Sequence, residues 1–324
     1  RRTESLLARF PRRVDAPVAW LVAAALLGLG LTRPIVSFSR LGGVSGKTFT
    51  VFTGMRNLFD SGHPYLAALI FTFSLVFPLV KLVALAAAWG LPMDRQGREV
   101  LLDRLKLLGK WSMLDVFVVA GLLGVVRFGW LTDATPHDGI YYYGASILLA
   151  MVLIYVVARM ARLGRKAEPA RALPLLTRFP LEVPALLLLA AGYELPLMHV
   201  EKWVFWKQDF SILAGTANLW RDGHPVLAVF LGLFVILAPT ARLIGTLVLR
   251  FLPGPAPRHP GLLGLVRILN RWTMVEVFAL GMLVVAVKLG GMAKLTLQPG
   301  LYCFLGGTAL TALLAWPLGR AGRD

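Results

Sequence analysis

Residues 57–64 of this chain spell NLFDSGHP, and residues 218–225 spell NLWRDGHP. Residues 110–117 spell KWSMLDVF and residues 271–278 spell RWTMVEVF, so in both motifs the later copy trails the earlier by 161 residues. The same offset relates Phe49 to Phe210, Gly54 to Gly215, Pro78 to Pro239, Lys81 to Arg242, Arg127 to Lys288, Gly129 to Gly290 and Tyr141 to Tyr302. Chance does not hold one register across roughly a hundred positions, so the chain is a duplicated unit and must fold as two copies.

Hydrophobic residues make up 57% of the 324 and charged residues only 16%. A soluble domain cannot cover that much apolar surface with so few polar side chains, which makes a bilayer the natural solvent. The net charge of +17 raises nucleic acid as a partner. The charges argue against it, because they fall in short clusters between apolar runs and form no single basic stripe. A lone cysteine, Cys303, excludes a disulfide framework, a CxxC zinc site and a dithiol redox pair within the chain. No signal-peptide pattern separates from the first apolar run.

A membrane-crossing helix needs about 20 apolar residues. Four candidates fall in each copy, at 16–33, 64–90, 112–130 and 140–158, then at 180–197, 225–250, 273–290 and 300–317. Pro64 and Pro225 open the second span of each copy, where a missing N–H needs no partner. Of the 34 Lys and Arg residues, 22 lie on the side of the N-terminus, ten on the other side, and Lys81 and Arg242 lie inside spans. The positive-inside rule then predicts cytoplasmic termini and, because each copy has an even number of spans, parallel copies. The expected fold is an α-helical polytopic membrane protein of two tandem four-helix units. The first occupies residues 1–158, a basic cytoplasmic linker 159–179, and the second 180–324.

The long loops at 34–63 and 198–224 contain alternating runs, KTFTVF at 47–52 and DFSIL at 209–213, and AKLTL follows at 293–297. Period-two alternation predicts strands, hence a small β-sheet above each unit on the non-cytoplasmic side.

The residues that cost most are the intramembrane cations. Lys81 in SLVFPLVK and Arg242 in FVILAPTAR each cost at least ~2.5–3.5 kcal/mol at depth, so each needs a partner or a wet cavity. Asp115 and Glu276, at the start of the third spans, are the candidate partners. Two readings remain open, an ion pair that fixes helix packing and a titratable pair beside a lipid or proton path. Arginine does not readily lose its proton, so Lys81 is the one suited to proton work. Pro78 and Pro239 precede the cations by three residues. Each frees the carbonyl four residues back, that of Ser74 or Val235, and can kink the helix. Ser74 falls on the Lys81 face, so a kinked polar groove is a possible substrate path. His63 and His224 sit in GHP at the outer mouth of the second span, one per copy and without a companion at metal spacing. They are expected as turn residues before a helix-opening proline, with Asn57 and Asn218 as turn or cap residues nearby. No metal and no other cofactor is expected.

The motif WSMLDVF after a proline–lysine span, with the pattern ILAG…NLW…G-P before such a span, closely resembles the paraquat-inducible protein A family, including its intermembrane lipid-transport branch. The resemblance covers both copies. It implies an inner-membrane partner of periplasmic MCE-domain proteins, which form tunnels carrying phospholipid between bacterial membranes. It also implies tetraspan, claudin-like four-helix units with an outer sheet. Many relatives carry cytoplasmic zinc ribbons with CxxC pairs before each unit, and this chain has none, so its membrane function is expected not to depend on them within this chain.

The leading expectation is a bacterial inner-membrane subunit that loads or unloads phospholipid at an MCE tunnel. The alternative is a membrane scaffold that anchors and orients the MCE protein without carrying lipid. An enzyme is not expected, given one cysteine and no paired histidine ligands.

Overall fold

The computed structural model describes residues 5–10, 12–40, 47–60, 62, 64–114, 116–118, 120, 132–161, 181–201, 207–251, 260–290 and 294–320. His63, Asp115, Arg127 and most of the 112–130 span and the 159–179 linker lie outside the described residues. Contacts divide the chain into two compact units, Arg1–Val119 with Val126–Lys166, and Ala120–Val125 with Ala167–Asp324.

The first unit begins with a one-turn helix, α1 (Leu6–Arg9), capped by the Ser5 side chain, and continues into α2 (Asp15–Thr32). Strands β1 (Val36–Arg40) and β2 (Lys47–Phe49) lead to α3 (Val51–Asp60). Next comes α4, built from Pro64–Ile70, a π-helical turn Phe71–Val76 and Phe77–Gly90. Helix α5 (Arg95–Trp111), strand β3 (Thr132–Pro136) and helix α6 (Asp138–Ala161) complete it. The second unit repeats the order. It holds α7 (Glu182–Glu194), β4 (Met198–Glu201), β5 (Lys207–Phe210) and α8 (Ile212–Arg221). Helix α9 follows as Pro225–Leu231, a second π-helical turn Gly232–Leu237, and Ala238–Phe251. The chain then forms α10 (Pro260–Trp272), α11 (Val275–Gly290), β6 (Lys294–Leu297) and α12 (Pro299–Arg320).

Each unit carries a three-stranded antiparallel sheet, in the orders β2-β1-β3 and β5-β4-β6. Val36 pairs with both Phe49 and Pro136, and Met198 pairs with both Phe210 and Leu297. The runs singled out above are thus edge strands, and the central strands β1 (VSFSR) and β4 (MHVE) alternate as well but lie outside those runs. The expected strands at 47–52 and 209–213 are cut short. Thr50 ends the first, because its hydroxyl accepts from Thr53 N–H at 3.2 Å while its own N–H donates to the Thr53 hydroxyl at 2.8 Å. This reciprocal cap starts a helix at Val51. Ser211 does the same in the second unit, accepting from Ala214 N–H at 3.2 Å.

Asn57 and Asn218 therefore lie inside α3 and α8, not in turns. The turns fall to Gly62 and Gly223, both at φ 81°. After α8, His224 N–H donates to Leu219 O at 2.9 Å and Gly223 N–H to Trp220 O at 3.3 Å. That double closure needs a left-handed residue, which glycine supplies without a Cβ penalty. His224 is the turn residue expected before Pro225, and it caps α9 without a side-chain hydrogen bond.

Among the described residues, five segments are long and apolar enough to cross a membrane: Asp15–Thr32, Ala67–Gly90, Asp138–Ala161, Pro225–Leu249 and Gly261–Val285. The chain is thus a helical, multi-pass membrane protein by the length and composition of its helices. The span expected at 180–197 is the shorter helix Glu182–Glu194, which stops before Pro196 because a residue preceding proline avoids helical backbone. The basic stretches 95–110 and 250–271, which lie between the expected spans, contain the helices α5 and α10.

In the first unit α2 and α6 pack side by side, and in the second α7 and α12 do. Glycine permits the approach: a Cβ at Gly30 would sit 2.7 Å from the Tyr143 backbone, and one at Gly192 would sit 2.7 Å from that of Phe304. Polar ties add direction. Ser146 Oγ donates to Ala23 O at 2.7 Å, and Trp20 Nε1 donates to Leu82 O at 2.8 Å. A core of Leu6, Leu85, Leu102, Leu105, Ile154 and Val157 closes the end of the first unit away from its sheet.

Candidate intramembrane polar site

The two π-helical turns end at Val76 and Leu237, two residues before Pro78 and Pro239. Proline has no N–H, so no backbone donor exists for the carbonyl that an α-helix or a π-turn would offer it. In the second unit those are the carbonyls of Val235 and Phe234. Both are met from outside the helix: Tyr193 OH donates to Val235 O at 2.9 Å, and Met274 N–H donates to Phe234 O at 3.3 Å. In the first unit Tyr143 OH donates to Ser74 O at 3.1 Å. The carbonyl that an α-helix would offer the proline, that of Ser74 or Val235, is therefore occupied in both units.

The two tyrosines come from different helices. Tyr143 belongs to α6, whose counterpart position in α12 is Phe304, without a hydroxyl. Tyr193 belongs to α7 and follows Gly192, whereas Leu31 follows Gly30 in α2. Each unit thus supplies one hydroxyl to one equivalent carbonyl, from opposite sides of the same helix pair. No repeat-based reading could find these residues, because neither tyrosine is repeated. Their signal was a polar ring tip inside an apolar span.

The π-turns are also held by aromatic packing that does repeat. Phe73 faces Trp111 at 6.0 Å between ring centroids, and Phe234 stacks on Trp272 at 5.8 Å. These are the tryptophans of the KWSM and RWTM motifs, which dock the start of the third span against the break in the second.

Beyond the break, Lys81 is 1% exposed, Arg242 2% and Ser74 0%. Pro78 and Pro239 are buried with them. Arg242 is tied down: Nη1 donates to Asn270 Oδ1 at 3.0 Å, and Nη2 donates to Thr311 O at 3.0 Å. Among the described residues no ion pair joins it to Glu276, contrary to the expected pairing. Glu276 lies in the first turn of α11, where the helix dipole favours an anion. The planar guanidinium fork reaches neighbouring helices in two directions and takes the amide and the carbonyl instead. In the first unit Gly109 and Ala150 occupy the positions of Asn270 and Thr311. Lys81 Nζ and Ser74 Oγ have no hydrogen-bond partner among the described residues. The expected partner Asp115 lies outside them.

No group of three or more His, Cys, Asp or Glu residues that could hold a metal occurs among the described residues. Cys303 is a free thiol in α12.

Duplicated helical units, each with a broken second helix, a buried cation past the break and a small sheet at one end, define a polytopic membrane protein built around an intramembrane polar site. The chain belongs to the paraquat-inducible protein A family, which it matches over residues 14–161 and 179–320. It is 30% identical over 140 residues to the protein of Escherichia coli K12 named intermembrane transport protein PqiA, covering 41% of this chain and 33% of that protein. It is 29% identical over 110 residues to a probable intermembrane transport protein of Haemophilus influenzae, covering 32% of this chain and 26% of the other. It is 24% identical over 153 residues to the lipophilic envelope-spanning tunnel protein A of Escherichia coli K12, covering 45% and 35%. These alignments span about a third of each relative's length or less. No solved structure matches the chain.

Proposed function

We propose that the chain is the inner-membrane subunit of an MCE-type intermembrane lipid transport system, which loads or unloads phospholipid at the mouth of a periplasmic MCE tunnel. The observation that carries this reading is a cation buried three residues past a proline break, in a helix whose π-turn contains buried Ser74. A charge at that depth is a liability that packing alone has no need of, whereas a path for polar headgroups does. The names of the relatives support transport between membranes.

In this reading the chain crosses the bacterial inner membrane eight times, with both termini in the cytoplasm. Residues 1–158 and 180–324 form the two four-helix units, and 159–179 is the cytoplasmic linker. Lys81, Ser74, Pro78 and Asp115, with Arg242, Pro239 and Glu276 in the second unit, make up the polar path. Asn57, His63, Asn218 and His224 stand at its periplasmic mouth. The sheets receive the MCE protein. The chain acts as a conduit, with no catalysis.

A photo-crosslinker at Ser74 or Pro78 should capture phospholipid in cells, and one at Thr48 should capture the MCE protein. Capture at Thr48 without lipid at Ser74 or Pro78 would replace this reading with that of a scaffold.

A further inference from the structure

We propose that α3 and α8 lie in the headgroup–acyl boundary of the membrane at the sheet-bearing end of each unit, bound to the lipid surface through an apolar stripe. A helix at the edge of a soluble domain has two sectors, a buried one and a wet one. These two helices have three. In α3 the buried sector holds Val51, and the polar, exposed sector holds Thr53, Asn57 and Asp60. Between them, at helical spacing, run Phe52 at 45% exposure, half-buried Met55 and Phe59 at 63%. Helix α8 repeats the division. Ile212, Gly215 and Leu219 are buried, Ala217 and Arg221 face outward, and Leu213 and Trp220 carry the exposed stripe at 41% and 60%. Phe52 and Leu213, and likewise Phe59 and Trp220, are equivalent positions in the two copies.

A third sector that is apolar and exposed needs a third medium. Lipid is that medium because the stripe is continuous with a lipid-facing one. Helix α8 packs directly on α9. That helix exposes Val226, Val229, Leu233, Leu237, Ile244 and Val248 at helical spacing along its whole length. Helix α3 packs on α4 in the same way, and Tyr65 at its start is 89% exposed. Aromatic side chains at the junction of a span and its loop suit the interfacial belt. The charges fix the lipid class. On α3 they are Arg56 and Asp60, which pair with each other at 3.9 Å, and on α8 Arg221 is followed at once by the exposed Asp222, so neither helix end offers a net cation. Binding then rests on apolar area and does not discriminate for anionic headgroups. The inference is independent of whether Lys81 lies on a lipid path.

The test places single cysteines at Phe59 and Trp220 (F59C, W220C), and at Thr53 (T53C) as a water-facing control, in the full chain carrying Cys303→Ser. Each is labelled with an environment-sensitive fluorophore in phosphatidylcholine vesicles. Labels at 59 and 220 should emit to the blue of the label at 53. A spin label near the headgroup end of the acyl chain should quench them at least about twofold more than one at the chain terminus. Adding anionic lipid or salt should change neither result. Emission and quenching at 59 and 220 indistinguishable from those at 53 would overturn the proposal. So would quenching that appears only with anionic lipid, or shielding at 59 and 220 that requires an added MCE-domain protein. The two helices report separately, so failure of one variant to fold leaves the other as the measurement.

Discussion

The hydroxyl of Tyr143 donates to the backbone carbonyl of Ser74 across 3.1 Å, joining α6 to the carbonyl that Pro78 leaves without a helical donor. Tyr193 does the same for Val235 across 2.9 Å, but from the first helix of its unit. An unmet carbonyl in a dry interior is expensive, so each break in the second span carries its own external donor.

Tyr143→Phe removes only that hydroxyl and should destabilise the protein by about 1–3 kcal/mol, the cost of a buried acceptor left unmet. Tyr193→Phe should cost about the same by that reasoning, and because the two sites lie in separate units the losses should add within about 0.5 kcal/mol. Adding Leu31→Tyr to Tyr143→Phe moves the donor to the helix that supplies it in the other unit, and should recover part of the loss. Unfolding in detergent measures all of these. No loss in either single variant would show that water meets the carbonyl instead.

Asn270→Ala leaves one arm of a buried guanidinium without its acceptor and should cost about 1.5–3 kcal/mol. Arg242→Lys should be nearly as harmful, because an ammonium cannot reach Asn270 and the Thr311 carbonyl together. The double variant should lose less than the two single losses combined, since the residues touch. Strictly additive stability losses would contradict the contact.

Lys81 has neither an asparagine nor a threonine at the equivalent positions, which leaves Asp115 as its proposed counter-charge. Lys81→Ala should then strand that carboxylate, at about 3–5 kcal/mol if it is buried. Lys81→Ala with Asp115→Ala should fold better than Lys81→Ala alone. Transport should fail in both variants while the MCE protein is still captured. Retained transport in Lys81→Ala would leave the residue a packing role only.

Gly62 and Gly223 both stand at φ 81° with open space where a Cβ would go. Substitution by Ala should therefore cost about 1–2 kcal/mol at each, from backbone strain alone. Gly192→Ala should cost more, because its Cβ would meet the Phe304 backbone at 2.7 Å. Thermal unfolding of the three variants should rank them in that order, and equal losses would refute the distinction.

Topology is read by cysteine labelling in whole cells. A cysteine near Gly62 or Gly223, placed at Asp60 or Asp222, should react with an impermeant reagent, while one at Gln96 should need permeabilised membranes. The reverse pattern would invert the proposed orientation.

The sequence by itself determined the duplication, the membrane solvent, the buried cations and the carbonyls freed by Pro78 and Pro239. Each depends on composition, on a fixed offset, or on the covalent fact that proline lacks an N–H, and none needs a neighbour to be known. Only the tertiary structure decided what meets those groups. Tyr143 and Tyr193 break the repeat, as do Asn270 and Thr311, so the pattern that exposed the cations and prolines concealed what meets them. The guanidinium of Arg242 meets Asn270 and the Thr311 carbonyl, and no ion pair to Glu276, because the packed helices set which acceptors its rigid fork reaches. The strands at 47–52 and 209–213 ended early for a local reason of the same kind: a hydroxyl at Thr50 or Ser211 offered the following N–H groups a cap, and a helix began where alternation predicted extended chain. Alternation records which face is apolar. It cannot record where backbone donors find their acceptors, and in lipid that requirement has the last word.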